Sequence, residues 1–179
     1  MPTDYVQEVV KLAAPVNPTE QPSHQDWQTV ESELGLEFPA DYKALVSALG
    51  SGRFGDGLAL RNPRASSGYI RLSRDALLEF QRLMTEAKWE VDVSLYPKTG
   101  GFVSIGHVDR HAFLLHPDQG GRLLDQIVWW DQDYKEIKDL GMSISRFIHD
   151  LYVGQIREEW AERLRQYFWR GGERPFYVR

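Results

Sequence analysis

At 179 residues the chain is sized for one domain, and its formal net charge of −5 suits it poorly to nucleic acid, whose binding draws on Lys and Arg. Hydrophobic residues at 42% and charged residues at 26% exclude global disorder, while the absence of cysteine excludes disulfides, thiolate nucleophiles and cysteine-based zinc or iron–sulfur centres. The opening Met1-Pro2-Thr3-Asp4-Tyr5 lacks the basic and apolar regions of a secretory signal, and no apolar run reaches membrane-spanning length, so a cytoplasmic protein without a membrane partner is expected.

The Pro-rich stretch 15–22 reads as a linker, which makes 1–22 an N-terminal arm, 23–153 the body and 154–179 a helical extension with a tail. Ser23 followed by Asp26 imitates a capping box, and Trp27, Val30 and Leu34 recur at helical spacing up to Gly35. Pro39 suits the first turn of a second helix with Tyr42, Leu45, Val46 and Leu49 on one face, closed by Gly50. The glycine-rich run 50–57 reads as a mobile connection, and Leu58 and Leu60 as a short strand.

Tyr69 to Leu72 has strand composition, and Ser73 caps a helix whose inward residues are Leu77, Phe80, Met84 and Ala87. Three strands follow at Phe102–His107, Ala112–His116 and Ile127–Trp130, and the short links between them favour an antiparallel meander. A last helix from Ser143 carries Ile144, Phe147, Ile148 and Leu151, and its stripe continues through Ile156, Trp160, Leu164, Tyr167 and Phe168. The expected fold class is α+β: a mostly antiparallel twisted sheet, helices on one face, and a long C-terminal helix that either packs on the body or forms a homodimer.

The segment Glu33-Leu34-Gly35-Leu36-Glu37-Phe38-Pro39-Ala40-Asp41-Tyr42, with Leu49-Gly50-Ser51-Gly52-Arg53-Phe54-Gly55 after it, resembles the opening of the SUKH superfamily. Phe102–Gly106, Phe113–Leu115, Ile127–Trp130 and Ser145–Leu151 are similar to its central strands and closing helix. That superfamily contains yeast cell-wall-assembly regulators and bacterial toxin-immunity proteins. The resemblance implies a non-enzymatic protein-binding scaffold, with no catalytic residues and no cofactor to carry over. The leading expectation is an immunity protein that neutralises a bacterial polymorphic toxin by direct binding; the alternative is a regulatory or scaffolding protein without a toxin.

The residues themselves offer little catalytic chemistry. His107, Asp109, His111 and His116 are ligand types, but their spacing around a hairpin does not converge on a metal, and no metal is expected. Asp131, Asp133 and Glu136 follow a strand end and suit an acidic face toward a basic protein partner. Trp129 and Trp130 must point to opposite sheet faces, so Trp130, like Trp160 on the extension, is a candidate interface anchor.

Overall fold

A computed structural model of the chain describes residues 3–55, 57–86, 93–108, 111–131, 136–162 and, for the backbone, 176–177. The segment read as an arm is a helix, α1 (Tyr5–Ala13), started by Asp4, whose carboxylate accepts from Gln7 N at 3.1 Å. Val6, Val9, Val10 and Ala13 form its apolar side, and Val9 and Ala13 are buried in the main core. The proline stretch is therefore not the edge of the fold. Its far end is built in: Thr19 O accepts from Ser51 N at 2.9 Å, and Gln21 Nε2 donates to the terminal carbonyls of the next helix but one.

Helix α2 (His24–Leu34) opens with the reciprocal capping box of Ser23 and Asp26 and ends at Gly35 in the left-handed region. Helix α3 (Ala40–Leu49) follows Pro39, which occupies the cap position itself, and buries Tyr42, Leu45, Val46 and Leu49. Glycine is required at position 50, because φ is +71° and a Cβ would lie 1.9 Å from Thr19 O.

Strands β1 (Arg53–Phe54) and β2 (Leu58–Leu60) come next, so the glycine-rich run holds a strand where a mobile connection was expected. Helix α4 (Arg74–Glu86) then precedes β3 (Val103–Val108), β4 (His111–Pro117), β5 (Leu123–Asp131) and β6 (Glu136–Asp139). Helix α5 (Ile144–Tyr152) follows, and a two-residue β7 (Phe176–Tyr177) closes the order. Among the described residues the strands make one sheet, β6-β5-β4-β3-β2-β1-β7, with every neighbouring pair antiparallel. The class is α+β, and the β3-β4-β5 meander is present.

Four expectations change. Residues 69–72 are turn, with a single bridge between Asn62 and Arg71, because Asn62 takes the hydrogen bonds that a strand would have shared. β6 has no apolar alternation to announce it, since all four of its residues are exposed. The helices do not share one face. α1, α2, α3 and α5 cover the side with Ile105, Phe113 and Trp129, while Phe80 and Met84 of α4 cover Leu114, Val128 and Trp130 on the other. Finally, α5 ends at Tyr152 and the chain turns at Gly154 with φ +74°, so no helix continues through that point. Residues 159–162 are helical and Ile156 packs on the main core, whereas Leu164, Tyr167 and Phe168 lie outside the described residues.

Candidate functional site

Asp131 and Glu136 stand directly opposite one another across the β5–β6 pair, and Trp129 stands opposite Lys138. Opposed residues share a face, and so do residues two apart, so all four belong to the α5 side of the sheet. Trp160 joins them there. Its ring meets Trp129 edge-on at 4.4 Å between centroids and stacks on Phe147 at 6.1 Å and 9°. Lys138 Nζ lies 5.1 Å from the Trp160 ring and 3.0 Å from Glu158 Oε2, and the Trp160 indole N–H donates to the same carboxylate. The Asp131 side chain is mostly enclosed, 13% exposed, with Oδ1 3.4 Å from His111 Nδ1.

Three of the sequence-derived candidates thus converge: Asp131, Glu136 and Trp160. Trp130 does not. It is 2% exposed on the opposite face, its ring edge-on to Phe80 at 6.4 Å, because α4 covers a surface that was expected to be open. It is a core residue and not an interface anchor. Asp133 lies outside the described residues, as do Asp109 and Arg110 at the β3–β4 turn.

The histidines part company. His111 packs against Trp129 on the α5 side, His107 meets Tyr69 at 4.1 Å on the α4 side, and His116 sits against Phe102 near the far end of the same strand pair. Among the described residues no group of three His, Asp or Glu is placed to hold a metal.

A second surface, which the sequence reading passed over, lies at the β1 end. The registers align Arg53, Ala59, His107, Ala112 and Trp130 in one row across five strands, all on the α4 face. Tyr69, 57% exposed, lies over its cationic end: the Arg53 guanidinium is 5.9 Å from the Tyr69 ring centroid. Arg61 is buried beside this row, donating to Ser104 Oγ at 3.3 Å and Arg71 O at 3.1 Å and facing the Phe80 ring at 5.4 Å. Burial, reinforced by the charges of Arg61 and Arg53, pushes the His107 imidazole down to about 3, so it is neutral at physiological pH. In front is an open cleft of about 70 Å³ lined by Glu20, Ser51, Arg53, Ser66, Ser67 and Tyr69 among others.

The family profile SUKH_5, described as SMI1-KNR4 cell-wall, matches residues 4–153. The chain belongs to the SMI1-KNR4 family of the SUKH superfamily. No individual curated protein matches it. The SMI1-KNR4 match starts at the cap of α1 and stops at the cap of α5, so α1 is inside the family domain and Trp160 is outside it.

Within the SMI1-KNR4 domain, other polar side chains fasten elements together. Asp41 of α3 accepts from Ser145 N at 3.2 Å and from the Ser145 hydroxyl, tying two helices. Asp150, 4% exposed, is held by His149 at 2.8 Å and Arg146 at 3.3 Å, both on its own helix. What the SMI1-KNR4 fold leaves at its two sheet ends is surface chemistry: carboxylates beside an aromatic ring at one end, guanidinium groups around an aromatic ring at the other.

Proposed function

We propose that this chain is a non-enzymatic, cytoplasmic partner-binding protein, an immunity protein that neutralises a bacterial toxin by covering it. The observation that carries the reading is the direct opposition of Asp131 and Glu136 at the end of the β5–β6 pair. Like charges placed opposite each other across a sheet destabilise it, and a basic partner relieves that repulsion on binding. Trp160 and Lys138 beside them supply an aromatic contact and a polar border. The mechanism is steric occlusion, with the acidic edge raising the association rate and selecting the partner more than it adds affinity. Family membership supports a binding scaffold, and the absence of any helix among the described residues long and apolar enough to cross a membrane is compatible with it.

The test is co-expression with the C-terminal domain of a toxin encoded beside its gene. Growth should be restored and a complex should co-purify. Replacing Asp131 by Asn and Glu136 by Gln should slow association roughly tenfold at low salt while dissociation changes less. An unchanged association rate removes the acidic edge from the interface. Toxicity that persists despite soluble expression overturns immunity in favour of the regulatory alternative, which the cell-wall description of the family supports.

A further inference from the structure

We propose that the cleft at the β1 end of the sheet is a binding site for a carboxylate presented by an acidic peptide segment of a partner protein. The inference goes beyond the acidic edge and does not rest on it, since that edge lies on β5 and β6 and the cleft beside β1, with β4, β3 and β2 between them.

The first support is an unbalanced charge. Arg61 is 4% exposed, yet among the described residues its guanidinium meets only a hydroxyl, a carbonyl and the Phe80 ring, with no carboxylate. A buried cation without a counter-ion is unfavourable, and an anion admitted close by offsets it. Arg53, nearer the opening, makes no ion pair among the described residues and rests on the Tyr69 ring. No carboxylate among the described residues engages its planar fork, which has the geometry to take one in two parallel hydrogen bonds.

The second support is His107, 8% exposed, whose Nε2 has no hydrogen-bond partner among the described residues. A buried polar atom left without a partner is rare in folded proteins, and His107 lies directly behind Tyr69, which lines the cleft. The groups that face it are Arg61 from the end of β2, Arg53 from β1 and Tyr69 from the turn, two cations and a phenol.

The third support is that this wall already accepts a carboxylate from the chain itself. The Glu20 carboxylate takes a hydrogen bond from Ser66 N at 2.9 Å, and the hydroxyls of Ser51 and Ser66 hold its titration below the ordinary carboxylate range. Glu20 adopts φ +55°, a left-handed conformation unusual for a residue with a side chain, while its carbonyl accepts from the buried Asn62 amide at 2.9 Å. The remaining space is an open cleft of about 70 Å³, large enough for a side-chain carboxylate. Tyr and Arg at the mouth are the residue types that dominate protein interfaces, which favours a peptide over a free metabolite.

The site is tested by NMR titration of the full chain with an acetylated, amidated tetraglutamate peptide, its tetraglutamine analogue, and inorganic phosphate. Tetraglutamate at about millimolar concentration should shift the His107 ring and Arg53 Nε–H resonances saturably, and the pH at which His107 titrates should rise. Arg53→Gln should weaken binding at least about tenfold with an unchanged melting temperature, and Arg53→Lys should recover part of it. Tetraglutamate that moves neither resonance overturns the site, as does binding that survives Arg53→Gln. Equal shifts from tetraglutamine overturn recognition of charge, and shifts from phosphate alone overturn the peptide assignment. No partner protein is needed, so failure here leaves the acidic-edge reading untouched.

Discussion

The two ends of this sheet handle charge in opposite ways. At the β5–β6 end, side chains meet partners drawn from other parts of the chain: Asp131 Oδ1 lies 3.4 Å from His111 Nδ1, and Lys138 pairs with Glu158 beside the Trp160 ring. At the β1–β2 end, Arg53 and Arg61 meet aromatic rings and neutral oxygens. The first arrangement pairs Lys138 internally but sets Asp131 against Glu136, leaving an acidic edge for long-range attraction. The second is incomplete, and incompleteness in a buried setting is what points to a ligand. A cluster of charges is thus informative chiefly through what each member lacks.

The largest expected effect comes from separating the ends. Tyr42 of α3 is 1% exposed, and its hydroxyl donates to Arg61 O at 2.6 Å and lies 3.3 Å from Ile105 O, so one side chain joins a helix to the strands between both surfaces. Tyr42→Ala should cost ~3–5 kcal/mol and lower the melting midpoint of the whole domain in one transition. If the two ends melted separately, followed by Trp160 fluorescence and His107 NMR, they would be independent units and the comparison would fail.

Next is acid sensitivity at the cationic end. An unfolded histidine takes up its proton near pH 6.5, whereas His107 in the fold resists protonation down to about 3. Between those values the unfolded chain binds the extra proton. The contribution of His107 is therefore complete above pH 6.5 and is lost as pH falls, by up to about 1.4 kcal/mol per unit. Denaturant unfolding from pH 7 to pH 4 should show this slope, flattened in His107→Gln. An identical slope in the variant would mean that the acid sensitivity belongs to other groups.

Much of the scaffold was legible in the residues, and the reasons are local. Ser23 with Asp26, and Gly35, act through bonds within a few residues of themselves, so sequence spacing specifies them, whereas the approach of Thr19 that requires glycine at 50 is long-range. Trp160 was flagged by an apolar stripe of which Ile156 and Trp160 pack on the main core, although the helix expected to carry it is interrupted at Gly154. The cover over Trp130 was not legible, because it depends on α4 crossing to the second face, a tertiary choice that periodicity cannot encode. The cationic cleft left a trace that was missed. Residues 53–71 hold four arginines and one acid, Asp56, in a chain of net charge −5. Only register shows that Arg53 and His107, 54 positions apart, share a row.

Removing one cation from each end sharpens the contrast. Arg61→Met keeps the length of the side chain, discards an uncompensated buried charge, and should leave the protein unchanged or up to ~2 kcal/mol more stable. Lys138→Met removes an exposed cation from Glu158 and the Trp160 ring and should cost about 0.5–1 kcal/mol. The urea midpoint should fall in Lys138→Met and should hold or rise in Arg61→Met. Loss of more than ~2 kcal/mol in Arg61→Met would show that its bonds to Ser104 and Arg71 outweigh the burial of its charge.

The smallest effect belongs to Asp125 on β5, which tests whether carboxylate crowding extends along the acidic side. Partial burial, and then the negative charge of Asp41, raise its pKa to about 6. Asp41 is fixed in place by Ser145 at the first turn of α5, so it cannot turn away to relieve the repulsion. Here the native state holds the proton more tightly than the unfolded chain, so this group's contribution is most favourable below about pH 4, declines up to about pH 6, and is constant above. Asp125→Asn should accordingly match the parent at pH 4 and melt slightly higher at pH 7. The gain should be only a few tenths of a kcal/mol, because water reaches the side chain and screens the repulsion. A gain larger at pH 4 than at pH 7 would reverse the sign and with it the crowding. An equal gain at both would assign it to packing, leaving the Asp131–Glu136 pair as the place among the described residues of this edge where the fold sets carboxylates against each other.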